Sequence, residues 1–121
     1  MSNLQMPAIP TYFAAERAYH KAPRSGHIGH NTVITREEGG VISIRYLGSP
    51  IVRYEPDGTV YVTNAGWPRV TTHRRINLIV GKHCRAHLKA RTAYLTVGDT
   101  TYPLDDAWIK VAKVTDGRAR P

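Results

Sequence analysis

Four short segments in which apolar and polar residues alternate constrain the fold of this chain more than any other feature. Alternation with a period of two is typical of strands that bury one face. The segments cover residues 33–36, 41–47, 51–54 and 59–63. Turns rich in glycine and proline separate them, at a spacing typical of antiparallel strands. The pattern therefore predicts an antiparallel meander.

The residues before the meander predict an arm with a short helix. Thr11 is a suitable N-cap for a helix that extends to about His20. Residues 21–29 contain Pro23, Gly26 and Gly29, a composition typical of a linker. We therefore expect an N-terminal arm of residues 1–29, a single compact domain of residues 30–115 and a flexible tail of residues 116–121.

A second helix is predicted over residues 71–80, directly after the meander. Thr71 or Thr72 is its expected N-cap, and Gly81 is its expected end. The residues that share one apolar face are Ile76, Ile79 and Val80. His73, Arg74 and Asn77 lie largely off that face, and these three residues together with Arg75 are expected on accessible sides of the helix.

The C-terminal part of the chain predicts a late hairpin. Gly98 and Asp99 separate two apolar segments and form a two-residue turn signal. Pro103 ends the second strand or places it at a sheet edge, and residues 108–114 are expected to add a last strand. The fold class is therefore α+β: a small antiparallel meander with one short helix after the fourth strand, a late hairpin and a short N-terminal helix.

The positive charge is concentrated in one part of the sequence. The 121 residues carry a net charge of +8, and no acidic residue lies between Arg69 and Arg91. The basic residues of this block are Arg69, Arg74, Arg75, Lys82, Arg85, Lys89 and Arg91. Such a block attracts nucleic-acid backbone, nucleotide phosphates or an acidic protein, although a solvated surface has the same composition.

The sequence favours a small intracellular binding protein over an enzyme. No apolar run approaches the roughly 20 residues that cross a bilayer, and no signal peptide is recognisable, so a soluble protein is expected. Ser49 lacks the flanking glycines of a nucleophile elbow. Cys84, the single cysteine, lies between His83 and Arg85, but a base adjacent in sequence is rarely the catalytic base in space.

Metal binding has weaker support than anion binding. His83 and His87 would share one face of a helix, with Cys84 as a further ligand, but the spacing is not that of a closed zinc site. His27 and His30 form a second sparse pair. We therefore expect neither a metal nor a cofactor, and regard these as surface histidines.

Trp67 and the helix that follows it have the residue types of a nucleotide site. The indole of Trp67 suits stacking on a base, and the amide of Asn77 suits a base edge. Arg74 and Arg75 are candidates for phosphate binding. The helix start at residues 71–72 would supply further donors. The alternative is a core tryptophan beside a capped helix.

The sequence of residues 64–77, Asn-Ala-Gly-Trp-Pro-Arg-Val-Thr-Thr-His-Arg-Arg-Ile-Asn, followed by a hairpin ending in Tyr-Pro-Leu at residues 102–104, resembles a known family. These elements are similar to those of the anti-Thoeris sponges of tailed bacteriophages, over about residues 31–104. The resemblance implies a non-enzymatic protein that sequesters cyclic ADP-ribose signals in the cytoplasm of the infected bacterium. It also implies a homo-oligomer, with the ligand at a dimer interface.

The resemblance assigns roles to individual residues. Trp67 would stack on adenine, and Asn77, ten positions later, would help to hold the ligand. Arginines after the helix would bind phosphate, and the candidates here are Arg85 and Arg91. Some members of that family have separate sites for cyclic oligonucleotides, so such a ligand is a further possibility.

A second interpretation is a basic phage protein that binds nucleic acid or acts as an anti-CRISPR factor. It would use the block of basic residues from Arg69 to Arg91. Nucleic-acid binding weakens steeply as salt rises because counterions are released, whereas an enclosed small ligand depends on salt far less. Salt dependence therefore distinguishes the two interpretations.

Overall fold

The computed structural model describes residues 5–114, and the tail expected at residues 116–121 lies outside them. Within the described residues the chain forms two α-helices, one 3-10 turn and nine strands. The helices are α1 (Tyr12–Lys21) and α2 (Val70–Val80), and the 3-10 turn is Glu38–Gly40. The strands are β1 (His27–Gly29), β2 (Thr32–Arg36), β3 (Ile42–Tyr46), β4 (Ser49–Tyr54), β5 (Thr59–Val62), β6 (Arg85–Lys89), β7 (Thr92–Val97), β8 (Thr100–Pro103) and β9 (Ile109–Lys113). The predicted α+β class is confirmed.

Six of these strands form one antiparallel sheet in the order β1-β2-β3-β4-β5-β9. The predicted meander is confirmed as β2 to β5, in a register that places Ile34 beside Ile44 and Ile44 beside Val52. These three side chains are buried, as the alternation requires. The expected last strand is β9, which pairs with β5 at the edge of the sheet.

The linker prediction is wrong for residues 27–29, which form β1 and pair with β2. The preceding Gly26 has φ +79°, and its carbonyl accepts a hydrogen bond from the Ile34 amide at 2.8 Å. A Cβ at Gly26 would lie 2.8 Å from the Ile34 carbonyl oxygen, so the close approach requires glycine. Strand β1 has only three residues, which are too few to show the alternation of apolar and polar side chains that identifies a strand in the sequence.

A second, three-stranded antiparallel sheet has the order β6-β7-β8. The late hairpin is confirmed as β7 and β8, and Pro103 is the last residue of β8, which is an edge strand. Strand β6 was not predicted. Its inward-facing residues are Ala86 and Leu88, and the residues between them are an arginine, a histidine and a lysine. The alternation of strand β6 was overlooked because three of its five residues are basic.

Both helices lie where they were expected, but their N-terminal caps differ. The Thr11 hydroxyl accepts a hydrogen bond from the Ala14 amide at 3.0 Å, which confirms the cap of α1. Helix α2 begins at Val70 with Arg69 as its N-cap and has no side-chain cap bond. The predicted cap at Thr71 or Thr72 is therefore wrong: both residues lie inside the first helical turn.

The N-terminal segment contributes to the same core as the strands. Ile9 and Ala15 are buried beside Ile79 and the sheet residues. The Tyr54 hydroxyl, which is fully buried, donates to the Ile9 carbonyl at 2.7 Å, and the Ile9 amide donates to the Ile79 carbonyl at 2.8 Å. Burial raises the pKa of Tyr54 well above its usual value, so this hydroxyl stays a donor. Residues 9–15 are thus part of the packed interior.

Arg75 connects α2 to the large sheet from a buried position. The residue is 4% exposed. Its Nε donates to the Thr32 hydroxyl, its Nη1 to the Thr71 carbonyl and its Nη2 to the His30 carbonyl, each at 2.9 Å. The Thr32 hydroxyl in turn donates to the same His30 carbonyl at 2.7 Å. One guanidinium therefore holds the start of β2 against the first turn of α2.

The predicted buried face of α2 is confirmed for Ile76, Ile79 and Val80, which are buried. The expected accessibility is wrong for His73 and Arg75, each of which is 4% exposed. Arg74 is exposed as expected. The helix is buried on two sides because the large sheet covers one and β6 covers the other.

Replacing Arg75 by lysine should lower the free energy of unfolding by about 2–4 kcal/mol, because an ammonium group cannot reproduce the three-way fork. The matched control is Arg74→Lys, one residue earlier and exposed, which should change stability by less than about 0.5 kcal/mol. Urea unfolding of both variants measures the difference. Equal stabilities would show that the Arg75 fork contributes nothing.

Candidate functional site

A rigid turn after β5 presents Trp67. The Asn64 side chain accepts a hydrogen bond from the Gly66 amide at 2.8 Å and donates to the Leu104 carbonyl at 2.9 Å. Ala65 and Gly66 both have a positive φ, and the Trp67 amide donates back to the Asn64 carbonyl at 2.9 Å. Asn64 itself is buried. The backbone that carries the indole is therefore fixed from both sides.

The Trp67 indole is open to solvent beside a cation. The residue is 49% exposed, and the guanidinium carbon of Arg69 lies 5.2 Å from the centre of the ring. A cleft of about 180 Å³ adjoins it, lined by Tyr46, Leu47, Trp67, Arg69 and Thr72. Trp67 is thus a surface residue, and the core-tryptophan alternative is wrong.

Leu47 also lines the cleft, and its backbone conformation is unfavourable. With Gly48 it makes the two-residue turn between β3 and β4, and the two residues have φ values of 52° and 86°. Such turns favour Asn-Gly, because a leucine with positive φ is strained. Leu47 is also 66% exposed. Leu47 thus combines an exposed apolar side chain with an unfavourable backbone conformation, and packing of the core explains neither.

Tyr46 rests on the buried guanidinium of Arg75. The guanidinium carbon lies 3.9 Å from the centre of the Tyr46 ring. Burial lowers the pKa of Arg75 from its usual value, while Tyr46 acts in the opposite direction. The Arg75 guanidinium contacts Tyr46, which lines the cleft, and all three of its hydrogen bonds lie inside the protein. Arg75 therefore holds Tyr46 in place.

Two consecutive residues of α2 carry buried polar atoms with no hydrogen-bond partner in the described part of the chain. These atoms are the Thr72 hydroxyl and both ring nitrogens of His73. Burial lowers the pKa of His73, and the neighbouring His87 adds to this effect. Thr72 also lines the cleft. Thr72 thus lines the cleft, while its hydroxyl is buried and has no hydrogen-bond partner within residues 5–114.

The other residues expected at a ligand site lie elsewhere. Both ends of the Asn77 amide bind the backbone of Ala86 in β6, at 2.7 and 2.9 Å. Arg85 is in β6, Arg91 is in the turn that follows, and both are exposed. Neither is among the residues that line the cleft. The ligand roles of these residues stay predictions.

The structure thus brings together some predicted residues and adds new ones. Trp67 and Thr72 line the cleft. Arg75 does not line it, but contacts the lining residue Tyr46 and donates to the Thr71 carbonyl. Sequence reasoning missed Tyr46, Leu47 and Arg69 as lining residues. An apolar residue before Gly48 at a two-residue turn is the signal that could have indicated Leu47.

The sulfur and histidine groups considered earlier do not form a reactive cluster. Cys84 is buried, and burial raises the pKa of its thiol to about 12, so it stays protonated at neutral pH. His83 contacts the Pro10 carbonyl, and His87 lies on a strand, so the helical pairing assumed for a metal site is wrong. No group of three or more potential metal ligands occurs within residues 5–114.

Comparison with known proteins gives one finding. A protein-family model described as Kyanoviridae Gp96 protein matches residues 15–108, which include the cleft and the whole small sheet. The comparisons with curated proteins and with solved structures gave no significant match.

No helix in the described part of the chain is long and apolar enough to cross a membrane.

Leu47→Asn should raise the free energy of unfolding by about 0.5–1 kcal/mol, because asparagine tolerates a positive φ and forms the favoured Asn-Gly turn. Leu47→Ala is the matched control, since it removes the exposed apolar surface but keeps an unfavoured residue in the turn. Thermal unfolding compares them. If the Leu47→Asn variant were no more stable than the Leu47→Ala variant, the strain at this position would be contradicted.

His73→Leu should reduce the loss of stability that acid produces. Burial lowers the pKa of this histidine in the folded chain below the value of about 6.5 that it has in the unfolded chain, so the unfolded chain binds the proton more strongly and stability falls as pH falls. The slope is at most about 1.4 kcal/mol per pH unit for one proton. Urea unfolding between pH 7 and 5 measures it, with exposed His20→Gln as control. Equal slopes for both variants would exclude the effect.

Proposed function

The chain belongs to the Kyanoviridae Gp96 protein family and is a phage protein, and we propose that it captures a nucleotide-type ligand without chemically altering it. The observation that carries this proposal is the open indole of Trp67, held on a rigid turn with Arg69 beside it. Stacking of a base on such a ring contributes about 1–3 kcal/mol. The neighbouring guanidinium suits the negative charge of a phosphate group.

The size of the cleft indicates which part of the ligand one chain would hold. Pockets that enclose a whole small molecule have volumes of about 300–1,000 Å³, whereas this cleft measures about 180 Å³. It therefore suits a single base or a comparable ring. The rest of a nucleotide would be enclosed by a second copy of the chain, so the proposal includes a homo-oligomer.

The lining of the cleft favours capture over catalysis. It combines two aromatic rings, an aliphatic side chain, a guanidinium and a hydroxyl. None of these lining residues is a carboxylate, histidine or cysteine, the groups that most often act as acid, base or nucleophile. A protein that sequesters a signal needs tight binding and no reaction, which is consistent with this set.

The proposed role is to sequester a cyclic nucleotide immune signal in the cytoplasm of the infected bacterium and so block anti-phage defence. The signal would be a cyclic ADP-ribose isomer or a cyclic oligonucleotide. The membership in a phage family is consistent with a role in an infected bacterium. The specific role rests on the resemblance of residues 64–77 to the anti-Thoeris sponges, and that segment includes Trp67, which lines the cleft.

The test is to incubate the protein with cyclic ADP-ribose isomers and cyclic oligonucleotides, remove free ligand, denature the protein by heat and identify what is released. We expect one compound to be retained and released unchanged. Trp67→Ala should weaken its binding at least about fivefold, and Trp67→Phe should weaken it less, because phenylalanine keeps a ring for stacking. Trp108→Phe is the matched control and should bind as the natural protein does.

Each outcome decides a part of the proposal. Release of a chemically altered compound would indicate an enzyme. Retention of no compound would reject nucleotide capture. Because Trp67 is half exposed, its replacement should leave the unfolding temperature nearly unchanged. If Trp67→Ala retained the ligand as well as the natural protein, the cleft would not be the site.

A further inference from the structure

We propose that the outer face of the small sheet binds single-stranded nucleic acid, at a site separate from the Trp67 cleft. The outer face consists of the side chains that point away from the core: Arg85, His87 and Lys89 of β6, Thr92, Tyr94 and Thr96 of β7, and Thr101 of β8. The opposite face carries the buried residues Ala86, Ala93 and Leu95. The sheet therefore presents one packed side and one open side.

Two aromatic rings stack against each other on the outer face. His87 and Tyr94 are direct cross-strand partners, with ring centres 5.9 Å apart and planes inclined by 28°. Both residues are half-buried, so each ring is supported by the sheet and partly open. Nearly parallel rings on an open sheet suit the stacking of unpaired bases, whereas the bases of a duplex keep their faces covered.

A row of hydroxyl contacts fixes the position of the His87 ring. His87 Nε2 lies 3.1 Å from the Thr96 hydroxyl, which lies 2.9 Å from the Thr101 hydroxyl on the next strand. The row crosses all three strands of the sheet. Since the ring is already ordered, stacking on it costs little further side-chain entropy.

The charge around the rings suits a phosphate backbone. Arg85 and Lys89 are exposed on either side of His87 along β6, and Arg91 is exposed in the turn before β7. No acidic residue occurs from residue 58 to residue 98. Positive groups that flank a stacking surface are the combination that binds single strands with little sequence preference.

The shape of the face also favours an extended ligand. His87, Tyr94, Lys89 and Thr101 border a shallow depression of about 410 Å³ that continues to the β6–β7 turn. The Trp67 cleft shares no lining residue with it. The two sites therefore require separate variants and can be tested separately.

The test measures fluorescence anisotropy of labelled poly(U) and poly(dT) strands, and of a matched duplex, over a series of salt concentrations. We expect the single strands to bind more tightly than the duplex. Tyr94→Leu should weaken binding about 5- to 150-fold, and Tyr94→Phe should bind nearly as the natural protein does, because it keeps the ring. Lys89→Ala should reduce the slope of log affinity against log salt by about 0.7.

Two control variants distinguish this face from a diffuse charge effect and from the cleft. Arg74→Ala removes one exposed positive charge of the same basic block on α2, and it should leave the affinity and the salt slope unchanged. Trp67→Ala should also bind the strands normally. The proposal is overturned if the strands do not bind, if the duplex binds as tightly, if Tyr94→Leu has no effect, or if Arg74→Ala and Lys89→Ala are equivalent.

Discussion

The buried guanidinium of Arg75 is the interaction on which the rest of the structure depends. It joins β2 and α2 through three hydrogen bonds to uncharged oxygens and lies under the ring of Tyr46. A buried charge is costly unless it is hydrogen-bonded, and here each of the three guanidinium nitrogens donates one hydrogen bond. The same guanidinium holds the first turn of α2, the start of β2 and the ring of Tyr46 in position. One side chain therefore stabilises both the fold and the geometry of the cleft.

The cleft carries features that a folding argument alone does not explain. Leu47 is strained and exposed, Trp67 is half exposed on a rigid turn, and the Thr72 hydroxyl is buried without a partner among the described residues. Each of these costs free energy in the isolated chain. The core of isoleucines, valines and Tyr54 tolerates that cost, because it is anchored by the Ile9 segment as well as by the sheets. These features lie together at the cleft, and for this reason we chose it as the candidate site.

The sequence predicted elements where side chains alternate, and it failed where backbone groups or charges dominate. Val52 and Tyr54 revealed β4, whereas β1 has three residues and is held by its backbone, and the basic residues of β6 masked its apolar side. Of the candidate site, Trp67 was predicted from its ring and its neighbours. Tyr46 and Leu47 come from a distant hairpin, so only the pairing of β3 with β4 and the packing of α2 bring them to Trp67.

The fold also divides a block of charge that is continuous in the sequence. Arg69 lies over Trp67, Arg75 is buried, and Arg85 and Lys89 flank the rings of the small sheet. Asn77 lies between these residues in the sequence and contributes to neither surface, because both ends of its amide bind the Ala86 backbone and join α2 to β6. The basic block, which in the sequence resembles one surface for binding a polyanion, therefore contributes to two separate surfaces. Arg75 belongs to neither, because it is buried. The two binding sites that we propose therefore use different arginines, so a variant of one surface should leave the other intact.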